Sequence, residues 1–262
     1  MEKTAPIGVI DSGVGGLTVA KQLMKALPNE EVIYFADSAN MPYGNRSKEE
    51  IIGLASKMIN FVEEKNVKAV LVACNTISSF IDEIKSETKL ISIVKAGVDE
   101  AARESEKNEC VGVMATKATV ESRAYEKENE RTGNRLRLIT NASVSLPKVI
   151  DRELENTSLL TEKIRECVDP IMEKDASITK LILGCSHFPI IKEEISALYP
   201  HLTLIDPAMN QVEVLRKYLR ENNALNNNRR AGKIMLYTSG CESEFELTLQ
   251  KIHMKPVDVT VV

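Results

Sequence analysis

Leu71-Val-Ala-Cys74-Asn75-Thr76 and, further along, Leu181-Ile-Leu-Gly-Cys185-Ser186-His187 are two versions of one phrase: an apolar run, a cysteine, then small hydroxyl or amide side chains. The two cysteines stand 111 residues apart. An apolar run that stops so abruptly reads as a buried parallel strand. Each thiol then falls at the strand's carboxyl end, where open α/β sheets place their ligands. Two matched thiols in two matched halves suggest a reaction with two mirrored sides.

Outward from these runs, short apolar strands alternate with longer helical stretches. Ile7–Ile10 is a strand ending at Asp11 and a glycine-rich turn, and Leu17–Leu27 reads as a helix stopped by Pro28 and Asn29. Val32–Phe35 is a second strand. Lys48–Glu63 is an amphipathic helix with Ser47 as its N-cap and Glu50 three residues on. Val67–Ala73 is a third buried run. The series predicts parallel strands with right-handed crossovers.

The second half repeats the plan. Val111–Ala115 mirrors Ile7–Asp11, Leu136–Thr140 mirrors Val32–Ala36, and Leu181–Gly184 mirrors Val70–Ala73. A hydroxyl follows the first strand of each half, Ser12 and Thr116. The offsets agree closely, 104 residues from Gly8 to Gly112 and 111 between the cysteines. The chain therefore reads as an internal duplication, although a single doubly wound sheet with similar strands is the plainer alternative. Val212–Arg220 and Glu244–Ile252 read as helices and Lys233–Tyr237 as a strand; they fit no third repeat and are expected to return to the first lobe. The predicted fold class is α/β, with two pseudo-symmetric lobes. Each is a mostly parallel sheet flanked by helices, and the active site lies in the cleft. Residues 1–96 plus 208–262 form a discontinuous first lobe and 97–207 the second.

Composition narrows the classes of function. The 262 residues are 43% hydrophobic and 27% charged, with 34 Lys plus Arg against 38 Asp plus Glu, a net charge of −4. That balance points to neither nucleic acid nor an anionic membrane as partner. With 4% aromatics and no tryptophan, base stacking has little to work with. No apolar run is long enough to span a bilayer, and the first residues break into charge and glycine too early for a signal peptide. The five cysteines are odd in number, widely spaced and without a C-x-x-C pair, which favours a reducing, cytoplasmic setting.

Four places carry candidate chemistry. Asp11-Ser12-Gly13-Val14-Gly15-Gly16 opens a helix, whose free N–H groups are a natural seat for a carboxylate or phosphate. It lacks the spacing of a dinucleotide fingerprint and the Lys-Ser or Lys-Thr of a phosphate loop. Asp37 to Gly44 is a long polar loop in which Asn40 and Tyr43 offer donors. Cys74-Asn75-Thr76 and Cys185-Ser186-His187 put thiols beside helix starts that favour thiolate and bind carboxylate. His187, two positions from Cys185, is placed to exchange a proton with it or to stabilise its thiolate. A zinc site built from Cys74, Cys185, His187 and Asp11 is the lesser reading, because zinc ligands usually come as closely spaced pairs. Cys110, Cys167 and Cys241 read as structural.

Together, Asp-Ser-Gly-x-Gly-Gly-Leu, Met-Pro-Tyr-Gly, Ala-Cys-Asn-Thr and Gly-Cys-Ser-His-Phe-Pro closely resemble the motifs of the glutamate racemases, in the cofactor-independent aspartate/glutamate racemase superfamily. Val111–Val120 and Tyr237–Gly240 look like that family too, so the match runs in order over nearly the whole chain. The resemblance implies two-base racemisation of L-glutamate to D-glutamate for peptidoglycan synthesis, with neither pyridoxal phosphate nor metal. Cys74 and Cys185 would be the paired acid/base thiols, assisted by Asp11 and His187. Ser12, Pro42, Tyr43, Gly44, Asn75, Thr76, Thr119 and Ser186 would bind the substrate. By family analogy a homodimer is compatible with the chain.

The chain also departs from the pattern. Lys95-Ala96-Gly97 replaces a usual Glu-Pro-Gly. Ala142 to Asp151 replaces a stretch whose glutamate supports the histidine, so Asp151, Glu153 or neither takes that role, and Ile150 stands near the motif's own place. Ser186 replaces threonine, Phe188 tyrosine and Ile77 alanine. Two other functions stay open: a racemase of the superfamily for another substrate, such as aspartate or a hydantoin, and a non-catalytic ligand-binding homologue.

Overall fold

The computed structural model describes residues 2–228 and 230–262. The first half runs β1 (Ile7–Asp11), α1 (Leu17–Ala26), β2 (Val32–Ala36), α2 (Lys48–Glu63), β3 (Ala69–Val72), α3 (Asn75–Ser78), β4 (Leu90–Ser92) and α4 (Ile93–Glu104). The second runs β5 (Cys110–Thr116), α5 (Lys117–Glu121), α6 (Ala124–Arg131), β6 (Arg137–Ser143), α7 (Leu146–Arg152), α8 (Thr157–Lys174), β7 (Lys180–Gly184), α9 (Lys192–Leu198) and β8 (Thr203–Ile205). The chain closes with α10 (Ala208–Glu221), β9 (Ile234–Thr238), α11 (Ser243–Lys251) and β10 (Val259–Val261).

Local chemistry accounts for the main elements. Every residue of β1, β2, β3 and β5 is buried, which is why these strands read as unbroken apolar runs: helices cover both faces of a parallel sheet. α2 begins with a capping box, in which Glu50 N donates to Ser47 Oγ at 3.3 Å and Ser47 N donates to Glu50 Oε2 at 2.9 Å. Its buried stripe, Ile51, Ala55, Met58, Ile59 and Val62, recurs every three or four residues.

The strands form two sheets, ordered β10-β9-β2-β1-β3-β4 and β6-β5-β7-β8. All pairings are parallel. The second sheet repeats the order β2-β1-β3-β4 strand for strand, so the repeat in the sequence is a repeat in topology. The two α/β lobes expected from sequence are present. β9 pairs with β2 along its length and β10 with β9, which returns the end of the chain to the first sheet. α10 packs on α1 and α4. The short fourth strands, β4 and β8, and the edge strand β10 were not predicted as elements. Lys95, Ala96 and Gly97 lie inside α4, held by Ser92 as N-cap. Among the described residues no helix is long and apolar enough to cross a membrane.

Candidate active site

Both cysteines sit at the carboxyl ends of equivalent strands. Cys74 follows β3 and caps α3; Cys185 follows β7 and precedes a single 3-10 turn, Phe188–Ile191. They are 4% and 6% exposed and line one cavity of about 420 Å³ between the sheets. Ser12, Pro42, Tyr43, Gly44, Asn75, Thr76, Ser186 and His187 line it as well. Asp11 and Thr119 lie behind the wall, fully or almost fully buried.

The surroundings of the two thiols differ. Cys74 Sγ is 3.5 Å from Ser12 Oγ. Burial first, and then the Asp11 carboxylate, push the Cys74 thiol up to about 12. Cys185 Sγ is 3.7 Å from His187 Nδ1. On the other side of the ring, Nε2 lies 3.1 Å from Asp151 Oδ1, an ion-pair contact rather than a directed hydrogen bond. Burial works against a charged imidazole here, but the Asp151 carboxylate outweighs it and, with Cys185, holds His187 well above its ordinary range. Of the two carboxylates considered for this role, Asp151 stands at the ring, while Glu153 is exposed at the end of α7.

Asp11 makes no hydrogen bond to Cys74; its Oδ1 accepts from Gly13 N at 2.9 Å. Burial raises its pKa to about 6, with the nearby His187 charge and the Gly13 amide pulling the other way. The glycine turn after it brings Ser12 to the cavity and packs tightly at Gly15. A Cβ on Gly15 would come within 2.6 Å of Ser186 Oγ and 2.7 Å of His187 Nδ1. The missing side chain lets the first lobe press against the histidine loop of the second.

The donors are arranged in part as a chain. Thr76 Oγ1 is 2.9 Å from Thr116 Oγ1, which is 2.9 Å from Thr119 Oγ1. Asn75 Oδ1 accepts from Tyr125 Oη at 2.8 Å, while Asn75 Nδ2 is buried without a partner among the described residues. A buried amide N–H on a cavity wall is a donor placed for an acceptor such as a carboxylate. Tyr43 offers no hydroxyl to the cavity: its Oη donates to Asp37 Oδ2, and Asn40 Nδ2 donates to Asp37 Oδ1 at 3.0 Å. The loop lines the cavity through Met41, Pro42, Tyr43, Gly44 and Asn45, with Gly44 packed against Thr116. Sequence reasoning missed Ser143, Ser145, Lys148 and Arg152 on the wall. Thr116, the hydroxyl that ends an apolar run in the sequence, stands at the end of β5 and lines the cavity as well. Cys110 and Cys167 are buried and Cys241 is exposed. Among the described residues no three His, Cys, Asp or Glu side chains converge to hold a metal ion.

A family model described as Asp/Glu/Hydantoin racemase matches residues 7–215, which takes in both thiols and both sheets. The chain belongs to the Asp/Glu/hydantoin racemase family. Within this family it is similar to glutamate racemase 2 of Caldanaerobacter subterraneus, at 40% identity over 97% of this chain and 95% of the relative. Its fold matches the crystal structure of a glutamate racemase isoform from Bacillus anthracis, with a TM-score of 0.91, 32% identity, and coverage of 100% of this chain and 98% of that one. It also matches the Francisella tularensis glutamate racemase solved in complex with D-glutamate, with a TM-score of 0.88, 33% identity, and coverage of 99% and 98%.

Proposed function

We propose that this protein interconverts L- and D-glutamate without a cofactor, with Cys74 and Cys185 as the two acid/base groups. The observation that carries the reading is the pair of thiols at the ends of β3 and β7, facing one cavity. One thiolate takes the α-proton of the bound amino acid. The electron pair passes into the α-carboxylate, and the other thiol delivers its proton to the opposite face. The product leaves the two sulfurs with their protonation exchanged, so the reverse reaction uses the same groups in opposite roles.

The α-carbon of an amino acid is a very weak acid, so the developing carboxylate charge needs fixed donors in a site poor in water. Asn75 Nδ2 and the hydroxyls of Ser12, Thr76 and Ser186 supply them, with Thr119 holding the Thr116–Thr76 hydroxyl chain in place. Cys74 rests as a thiol in its buried setting. His187, paired with Asp151, carries the charge beside Cys185. Relatives that bear the name glutamate racemase favour glutamate as the substrate. Its product would serve peptidoglycan synthesis, in a cytoplasm that keeps the free cysteines reduced. The lobes are taken to divide as 1–96 plus 208–262 and 97–207, a division supported by the return of β9 and β10 to the first sheet.

The test is proton NMR of L-glutamate and L-aspartate together in D2O with the purified protein and nothing else added. Loss of the α-proton signal from glutamate alone is the expected result. Loss from aspartate alone would overturn the substrate. No exchange from either, with the protein folded and its thiols reduced, would overturn the activity.

A further inference from the structure

Lys148 and Arg152 stand one helical turn apart on α7 and both line the cavity, with Asp151 between them. Both are exposed, and neither has an ion-pair or side-chain hydrogen-bond partner among the described residues. Apart from His187, which Asp151 pairs, they are the only cationic side chains on the wall among the described residues. The His187 charge is matched by Asp151, and the other donors deeper in are neutral hydroxyls and one amide.

A net-anionic substrate approaching this chain meets a net charge of −4, with Asp11 buried behind the wall. Neutral donors do not offset that repulsion over distance. Two unpaired cations at one edge of a concave site do, because a cleft with low-dielectric walls focuses their field. We propose that Lys148 and Arg152 form a cationic lip that captures the side-chain carboxylate of the incoming dicarboxylic amino acid and feeds it into the cavity. This inference rests on the reading of glutamate as substrate. It assigns to α7 a role in recruiting substrate that is separate from the acid/base chemistry.

The experiment compares wild type with the Lys148→Gln/Arg152→Gln double variant in steady-state racemisation of L-glutamate across a salt series. Competitive inhibition by glutarate, a dicarboxylate with no α-proton to exchange, is measured alongside. In wild type, kcat/KM falls as salt rises. The double variant is expected to lose about tenfold in kcat/KM at low salt. The loss should fall on KM rather than kcat, the salt dependence should flatten, and glutarate should weaken in parallel. Lys148→Arg/Arg152→Lys, which keeps both charges, should retain the wild-type salt slope. If wild type racemises glutamate and the double variant keeps its KM, salt slope and glutarate affinity, the lip is wrong and the activity stands. If wild type exchanges no α-proton, the functional reading falls and the lip falls with it.

Discussion

Cys74 and Cys185 are equivalent by position and unequal by neighbourhood, and that inequality is where single substitutions report. Replacing either with alanine should lower racemisation by at least ~10³-fold while the circular dichroism spectrum is kept; a Cys185→Ala protein with wild-type turnover would sink the two-base scheme. Asp151→Asn should bring the titration of the His187 ring, followed by its C2–H resonance, down toward the ordinary histidine range, because the charge that offsets burial is gone. Glu153→Gln, on an exposed residue, should leave that titration in place. Asp11 gives a stability prediction with a definite sign. Its folded pKa of about 6 lies above the ordinary carboxylate value of 3.8. The favourable contribution is therefore complete below pH 3.8 and lost as the pH rises through 6. Ionised Asp11 then weakens the fold by up to about 3 kcal/mol, from the 1.36 kcal/mol per pKa unit. Asp11→Asn should unfold at higher urea than wild type at pH 8, by a margin that shrinks toward pH 5, and should also lose activity. An equal margin at both pH values would contradict this.

At the scale of elements, the capping box of α2 is exposed, and neither Ser47 nor Glu50 lines the cavity. Ser47→Ala should lower stability by about 1 kcal/mol and leave turnover alone, which a urea melt and a rate assay together would check. The long strands and α2 were legible because their signals are local: unbroken apolar runs, and a cap followed by a stripe of period near 3.6. β4 and β8, three residues each, carry too few side chains to announce a strand. In the candidate site, the residues directly after the strands were legible, since parallel strands hand whatever follows them to the cleft. The partner of His187 was not. Whether Ile150, Asp151 or Glu153 meets the ring depends on where α7 begins and how it is rotated, and no neighbouring residue in the sequence fixes that phase. Tyr43 shows the converse: expected from the sequence to offer a donor, it lines the cavity while its hydroxyl is claimed by Asp37, a partner that only the folded loop reveals.

At the scale of the molecule, a buried ion pair ties the beginning of the chain to its later part. Lys68 Nζ lies 2.5 Å from Glu30 Oε2, both side chains almost fully buried, and donates to the carbonyls of Lys3 and Ala224 at 2.6 and 3.0 Å. Glu30 Oε1 accepts from Asn226 N at 2.9 Å. Lys68→Met should cost about 3–5 kcal/mol, because it strands a buried carboxylate. Lys68→Met combined with Glu30→Gln should recover part of that loss, and a double variant no more stable than the single one would refute the pairing as the cause. The close approach at Gly15 has a consequence for how such a chain can be rebuilt. With only 2.6 Å between a would-be Cβ and Ser186 Oγ, the front half and the back half are cut to one another like a key and its ward. Chimeras that splice this chain to a relative should therefore survive only when the segment around residue 15 and the segment around residue 186 come from compatible parents, wherever the crossover itself is placed.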